Sequence, residues 1–259
     1  MKPWPLIMEH DVTVRAILSG CKTQDRRILN PQPPIGAPVT VDPWEPGTTV
    51  FEPGQWGVYR EGTPPGKWGL ESVADCLRGK PGDLFQLQEA WAPSRLFSLV
   101  KASDVPAETR FLGELIGPTE VFYQADGDSE EVDEWYSAES MPFWASRAIL
   151  TVTGLRAERL QDISEEDALA EGIREVTKDG QVKKYCVYDQ GDVSSTSWQD
   201  MPRKAVEAFA AHWDLLNAEL GYPWASNPWV WVREFTSTKL KRLKELPQVL
   251  ELIAKEFEG

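Results

Sequence analysis

The stretch that most limits the fold is "SRAILTVTGLRAERL", residues 146–160. Ile149, Thr151 and Thr153 alternate with Leu150, Val152 and Gly154, the period of two that sends successive side chains to opposite faces of a strand. Two further segments read as its partners. In "KPGDLFQLQEAW" (80–91), Pro81 and Gly82 make a turn, and Leu84, Phe85 and Leu87 begin a strand. In "NPWVWVREF" (227–235), Val230, Val232 and Phe235 are the apolar positions of another. Long crossover helices do not alternate with these strands, so a doubly wound sheet is not expected. A small mixed α/β (α+β) barrel with helices at its mouth fits the order better.

The helical signals are few. Residues 11–20 read as a short helix, capped by Asp11, with Val14, Ile17 and Leu18 on one face and Gly20 at the left-handed end. "DISEEDALAEGI" starts a second helix at Ser164, with Asp167 three residues on and early acids that suit the positive end of the helix dipole. "DMPRKAVEAFAAHWDLLNAEL" (200–220) is the clearest, with Val206, Phe209, Trp213 and Leu216 on one stripe and Gly221 as its stop. Between these lie irregular parts. Residues 31–66 hold nine of the chain's twenty prolines and six glycines, which is turn-rich sequence. Residues 92–142 are acidic and poorly periodic and read as a surface insertion. The reading is a single domain over 1–236, with insertions at about 31–79 and 92–142. A C-terminal helical extension, interrupted at Pro247, follows over 237–259.

Composition narrows the function. Against 27 basic residues stand 41 acidic ones, a formal net charge of −14. That balance argues against a general grip on a phosphate backbone, which needs a basic face. Cys21, Cys76 and Cys186 lack metal-site spacing, and with His10 and His212 as the two histidines no metal or other cofactor is expected. No apolar run approaches membrane-spanning length and the first ten residues do not read as a signal peptide, so the expected location is a reducing cytoplasm.

The chemistry concentrates in "SGCKTQDRRI", where Lys22, Arg26 and Arg27 follow a helix stop in an acidic chain. The three are expected to form a positive mouth that steers a small ligand inward. As a loop lysine with a functional role, Lys22 is expected to add little to stability. Three readings of it stand: a base with a lowered proton affinity, a charged group that binds an oxyanion, or a solvated lysine. If "KTQDRR" is extended, Lys22 and Asp25 lie on opposite faces, and both reach one pocket only if it turns. Cys21 is a weak nucleophile candidate with no histidine near it in sequence. Trp91, Trp224 and Trp229 are candidates for stacking on a base, against a rival reading as packing groups. Glu89, two residues before Trp91, is placed on the same strand face.

"SGCKTQDRRI" resembles the G-x-K-T-x-T-x-R signature of ASCH domains, which share the PUA-like β-barrel. "KPGDLFQLQEAW", "ILTVTGLRAERLQDISEEDALAEGI" and "NPWVWVREF" resemble that family's later landmarks in the same order. With "YQAD" and "MPFWASR", the pattern is most similar to ASCH-like proteins of tailed phages and prophages. The family includes bacterial N(4)-acetylcytidine amidohydrolases, which use a Lys, a Thr and a Glu without a metal. Carried over by motif, the resemblance implies catalytic roles for Lys22 and Glu171, and puts Asp25 at the position of the Thr. It implies substrate binding by Thr23, Arg26, Arg27, Glu89 and Trp91. The implied ligand is a modified base or nucleoside, or a short single-stranded nucleic acid. Hydrolysis of an N-acylated cytidine-like nucleoside and non-catalytic binding of RNA or modified DNA are the two functions that follow.

Overall fold

The computed structural model describes residues 4–7, 11–29, 32, 55–57, 73–75, 81–97, 99–111, 114–127, 130–187 and 197–240. In chain order, strand β1 is Trp4–Ile7, helix α1 is Asp11–Ser19 and β2 is Gln24–Ile28. The short strands β3 (Gln55–Gly57) and β4 (Val73–Asp75) precede β5 (Leu84–Gln88) and β6 (Trp91–Pro93). Next come β7 (Glu108–Phe111), β8 (Glu114–Pro118), β9 (Val121–Tyr123) and the long β10 (Ala148–Arg159). Helix α2 (Glu165–Ala170), strands β11 (Ile173–Thr177) and β12 (Lys183–Val187), helix α3 (Ala205–Asn217) and β13 (Trp229–Lys239) follow.

The three strands read from the sequence lie side by side in one sheet of order β1-β5-β10-β13-β2. Its pairings are antiparallel except that of β1 with β5. The sheet curls into a half-barrel, and the fold is mixed α+β. One face packs on α1: Val14 and Ile17 meet Phe85, Leu87, Leu150, Val152 and Phe235 in a buried cluster. The other face carries α2, α3 and the β11–β12 pair, where Phe209 and Trp213 pack with Ala168, Ile173, Val230 and Val232.

A β-bulge decides which charges join which face. The register of β10 against β13 slips between Val152 and Gly154. Before the slip, Leu150 and Val152 lie opposite Ser237 and Phe235 on the α1 side. After it, Arg156 and Glu158 lie opposite Val232 and Val230, on the α2–α3 side. One extra residue therefore turns the even-numbered positions of β10 from one face to the other.

Local signals explain the helices. Gly20 ends α1 with φ of 80°, the left-handed conformation that glycine adopts without a Cβ clash. Ser164 caps α2 by accepting from the Asp167 N–H at 3.0 Å. Glu165 reaches across to accept from the Ala205 N–H at 2.6 Å, satisfying a donor at the start of α3.

The structure differs from the sequence reading in three places. The strand read over 227–235 continues to Lys239, past the expected domain end at 236. The β11–β12 pair had no counterpart in the sequence reading. Residues 92–142 are not merely a surface insertion: Val105 and Met141 are buried with Trp91 and Ala145 in a cluster of their own. The insertion at 31–79 falls, but for residues 32, 55–57 and 73–75, outside the described residues, and so does the extension beyond Leu240. Among the described residues no helix is long and apolar enough to cross a membrane.

Candidate functional site

The end of α1 and the end of α2 bring the site together. After Gly20 the chain folds back, with the Cys21 and Lys22 N–H groups both donating to the Ala16 carbonyl at 3.0 Å. Lys22 then forms an isolated antiparallel bridge with Glu171, which caps the C-terminus of α2. The Thr23 N–H donates to the Ala170 carbonyl at 2.7 Å, which ties the two segments together. Gly172, at φ of 96°, lies against the Lys22 stem; an added Cβ would stand 3.4 Å from the Lys22 Cβ.

Lys22 and Glu171 meet directly. The Lys22 Nζ donates to Glu171 Oε2 at 2.5 Å and to the Glu171 carbonyl at 3.1 Å. Both residues are buried. Arg26 donates to the other carboxylate oxygen of Glu171 at 2.9 Å and to Glu158 at 2.6 Å, with Asp167 3.4 Å away. Gln24 donates to Asp167 at 2.7 Å, and Arg156 joins Asp167, Glu158 and Glu234. Three cations and four carboxylates thus interlock between the sheet and α2. The buried members, Lys22, Arg26 and Glu171, are each paired and hydrogen-bonded, as buried charges must be.

Asp25 belongs to the opposite face of β2. Its Oδ2 accepts from Arg27 Nε at 2.9 Å and from Arg233 at 3.1 Å. Burial alone would push its carboxyl up, but Arg27, Lys22 and Arg233 together outweigh that and hold it well below the usual carboxylate range. The buried Arg233 also lies over the Phe85 ring, 4.5 Å from its centroid. Asp167 is similarly lowered, burial being outweighed by Gln24, Arg26 and Arg156.

The three cations expected at one positive mouth therefore do not share one face. Strand alternation sends Arg26, whose side chain is 0% exposed, under α2, and sends Arg27, 44% exposed, to the other side. Lys22 is buried rather than solvated. The side chain of Thr23 is exposed.

Glu89 and Trp91 separate because β5 ends at Gln88 and Trp91 begins another strand. Glu89 forms a bidentate pair with Arg147 at 2.7 and 2.8 Å, and Arg147 continues to Asp126 and lies over Tyr123. Burial raises the Glu89 carboxyl above its ordinary value of 4.5 despite that partner. Trp91 is fully buried, edge-on to Tyr136 and Trp144, with Nε1 donating to the Ser140 hydroxyl at 3.3 Å. It is a packing group with no face open to a base. Cys21 is exposed.

Arg156, Glu158, Arg233 and Glu234 escaped the sequence reading. Their signal was available: charged residues inside apolar strand runs, as in "LRAER" and "WVREF", need partners on a buried sheet face. Among the described residues no group of three or more His, Cys, Asp or Glu side chains is arranged to hold a metal ion. No protein-family model matches the chain, and no curated protein or solved structure does so either.

Proposed function

We propose that the chain is an ASCH-like protein of phage type that binds a modified base or nucleoside beside the Lys22–Glu171 pair. In this reading it acts in the cytoplasm of a bacterial or phage-infected cell, and the half-barrel is the curled part of a PUA-like barrel. The reaction is hydrolysis of an N-acyl group on a cytidine-like base. The observation that carries the reading is the 2.5 Å contact between Lys22 and Glu171, the two residues that the resemblance assigns to catalysis.

The chemistry follows from the two groups. With a carboxylate in place of a hydroxyl at residue 25, the nucleophile is water. Glu171 accepts a proton from that water as its oxygen bonds to the acyl carbon. The Lys22 ammonium donates a hydrogen bond to the oxyanion that develops. The C–N bond then breaks, Glu171 returns the proton to the leaving nitrogen, and the products are a free carboxylic acid and the amino base.

Asp25 favours a second reading, a non-catalytic module for RNA or modified DNA. Its carboxylate is engaged by Arg27 and Arg233 and offers no nucleophilic hydroxyl. The two readings separate when purified protein is incubated with a panel of N-acylated and unmodified nucleosides and oligonucleotides. Chromatography follows the product and calorimetry the binding. Release of the acyl group, lost in Lys22→Ala, selects hydrolysis. Binding without turnover, tighter for oligonucleotides than nucleosides, selects the module. A Lys22→Ala protein that matches the parent in every assay would sink both.

A further inference from the structure

We infer that Arg159, set against the Trp229 ring at the end of the β10–β13 ladder, binds a phosphate group, either free phosphate or the phosphoryl group of a nucleotide. The site is separate from the Lys22–Glu171 pair. Arg156 and Glu158 join the network under α2, whereas Arg159 alternates to the other side of β10, where Leu155, Ala157 and Trp229 cluster.

Arg26, Arg27, Arg156 and Arg233, the other arginines of the sheet strands, each pair with a carboxylate. Arg159 pairs with none among the described residues, although the chain is strongly acidic. Its half-buried side chain donates from Nη1 to the Asn227 carbonyl at 3.0 Å, and the guanidinium lies over the Trp229 ring, 4.8 Å from the centroid. Trp229, a stacking candidate in the sequence, thus carries a cation on its ring. Its indole N–H is buried and makes no hydrogen bond. A cation without an acid and a donor without an acceptor therefore meet at one ring, and an oxyanion supplies what both lack.

The guanidinium is also held in place. Asn227, at φ of 43°, is the one non-glycine residue with positive φ among the described residues, and its Oδ1 accepts from the Gln161 N–H at 2.8 Å. That fixes the carbonyl to which Arg159 donates. The backbone of Trp229 is bracketed by Gln32, which accepts from its N–H at 2.8 Å and donates to its carbonyl at 2.9 Å. Nε and Nη2 of Arg159 are engaged by no group among the described residues and, unlike the indole N–H, are not shut off from solvent. These are the two atoms with which Arg147 grips both oxygens of Glu89. On Arg159 the same fork is open to two oxygens of a ligand. A phosphate monoester brings up to two charges and three acceptor oxygens, and so suits this edge better than a carboxylate does.

The test is a titration of the full, 15N-labelled chain at constant ionic strength with sodium phosphate, cytidine 5′-monophosphate and sodium acetate. The Nε–Hε resonance of Arg159, assigned by its loss in Arg159→Lys, reports on the site in the parent itself. Phosphate and the monophosphate should each shift it saturably, and acetate should bind about 10-fold more weakly or worse. Equal affinities for the first two identify the phosphate group as sufficient, and a tighter monophosphate identifies the nucleotide. By calorimetry, Arg159→Gln should weaken phosphate binding about 10-fold or more, and Arg159→Lys should recover part of that. Trp229→Phe, which keeps a ring but removes the indole N–H, should weaken it less. Arg174→Gln, which removes an exposed cation elsewhere, should change nothing. Absence of saturation by phosphate and monophosphate up to about 10 mM would overturn the site. So would acetate binding as tightly as phosphate, or an equal loss in Arg174→Gln. Phosphate binding that persists in folded Lys22→Met keeps this site distinct from the base site, and its loss there would overturn the separation.

Discussion

Lys22 and Glu171 stand 149 positions apart in the chain and meet across a 2.5 Å ion pair in the seam between the sheet and α2. The seam is closed by Arg26, which donates to the same carboxylate. Packing, charge pairing and the proposed chemistry therefore share one set of residues.

The first prediction concerns Arg26. Its guanidinium reaches Glu158, Asp167 and Glu171 from a fully buried position. Arg26→Met would take one cationic partner from each of these carboxylates, the buried Glu171 among them, and should cost about 3 kcal/mol of stability or more. Arg26→Lys should also destabilise, because a compact ammonium cannot span the same acceptors. Urea unfolding measures both; a midpoint equal to the parent's would show that the network does not hold α2 to the sheet.

Gly172 supplies a second test. Its φ of 96° is strained for any other residue, and an added Cβ would lie 3.3 Å from the Ala16 Cβ and 3.4 Å from that of Lys22. Gly172→Ala should cost about 1–2 kcal/mol from the backbone conformation. It should also weaken ligand binding by displacing Lys22 from Glu171. A melting curve and a nucleoside titration read the two effects, and unaltered affinity in a destabilised protein would separate the packing from the site.

Acid should act in two stages. Asp25 and Asp167 are held below their ordinary value of 3.8. A lowered carboxyl contributes stability that is complete above about pH 4 and lost as pH falls further. Glu89 has the opposite sign, since burial raises it above 4.5. Folded protein takes up that proton first, so falling pH strengthens its contribution. Stability should hold or rise slightly from about pH 6 to 4.5 and then drop below about pH 4. In Asp25→Asn the acid drop should be shallower; an unchanged slope in unfolding experiments between about pH 3 and 7 would contradict the assignment.

Trp91 should behave as core. Trp91→Ala is expected to cost about 3–5 kcal/mol, the usual range for an aromatic deletion. Nucleoside affinity, measured where the variant is still folded, should not change. A selective loss of affinity with normal stability would restore a stacking role.

Three of the sheet's five strands were legible because they carry period-two apolar patterns, whereas β1 and β2 were not, and Ser164 and Gly20 marked helix ends through their own chemistry. What was not legible depended on tertiary geometry. The slip between Val152 and Gly154 sets the facing of Arg156 and Glu158, yet the alternation in "LTVTGLRAER" reads through without a break. The separation of Arg26 from Arg27 was implicit in strand periodicity and was hidden by treating the cations as one cluster. Trp91 and Glu89 parted because the strand ends between them, at a boundary that local propensity does not mark. Lys22 and Glu171 could be paired only through resemblance, since nothing near either residue specifies a partner so distant in the chain.

The most direct measurement of the central claim is the rate of acyl release from N(4)-acetylcytidine by the parent, Lys22→Met and Glu171→Gln, under conditions where all three are folded. If Glu171 moves the proton and Lys22 holds the oxyanion, Glu171→Gln should lower kcat by about 100-fold or more with KM little changed, and Lys22→Met should lower kcat by a similar factor. Equal turnover by all three folded proteins would contradict the account, leaving Lys22 and Glu171 as a structural pair.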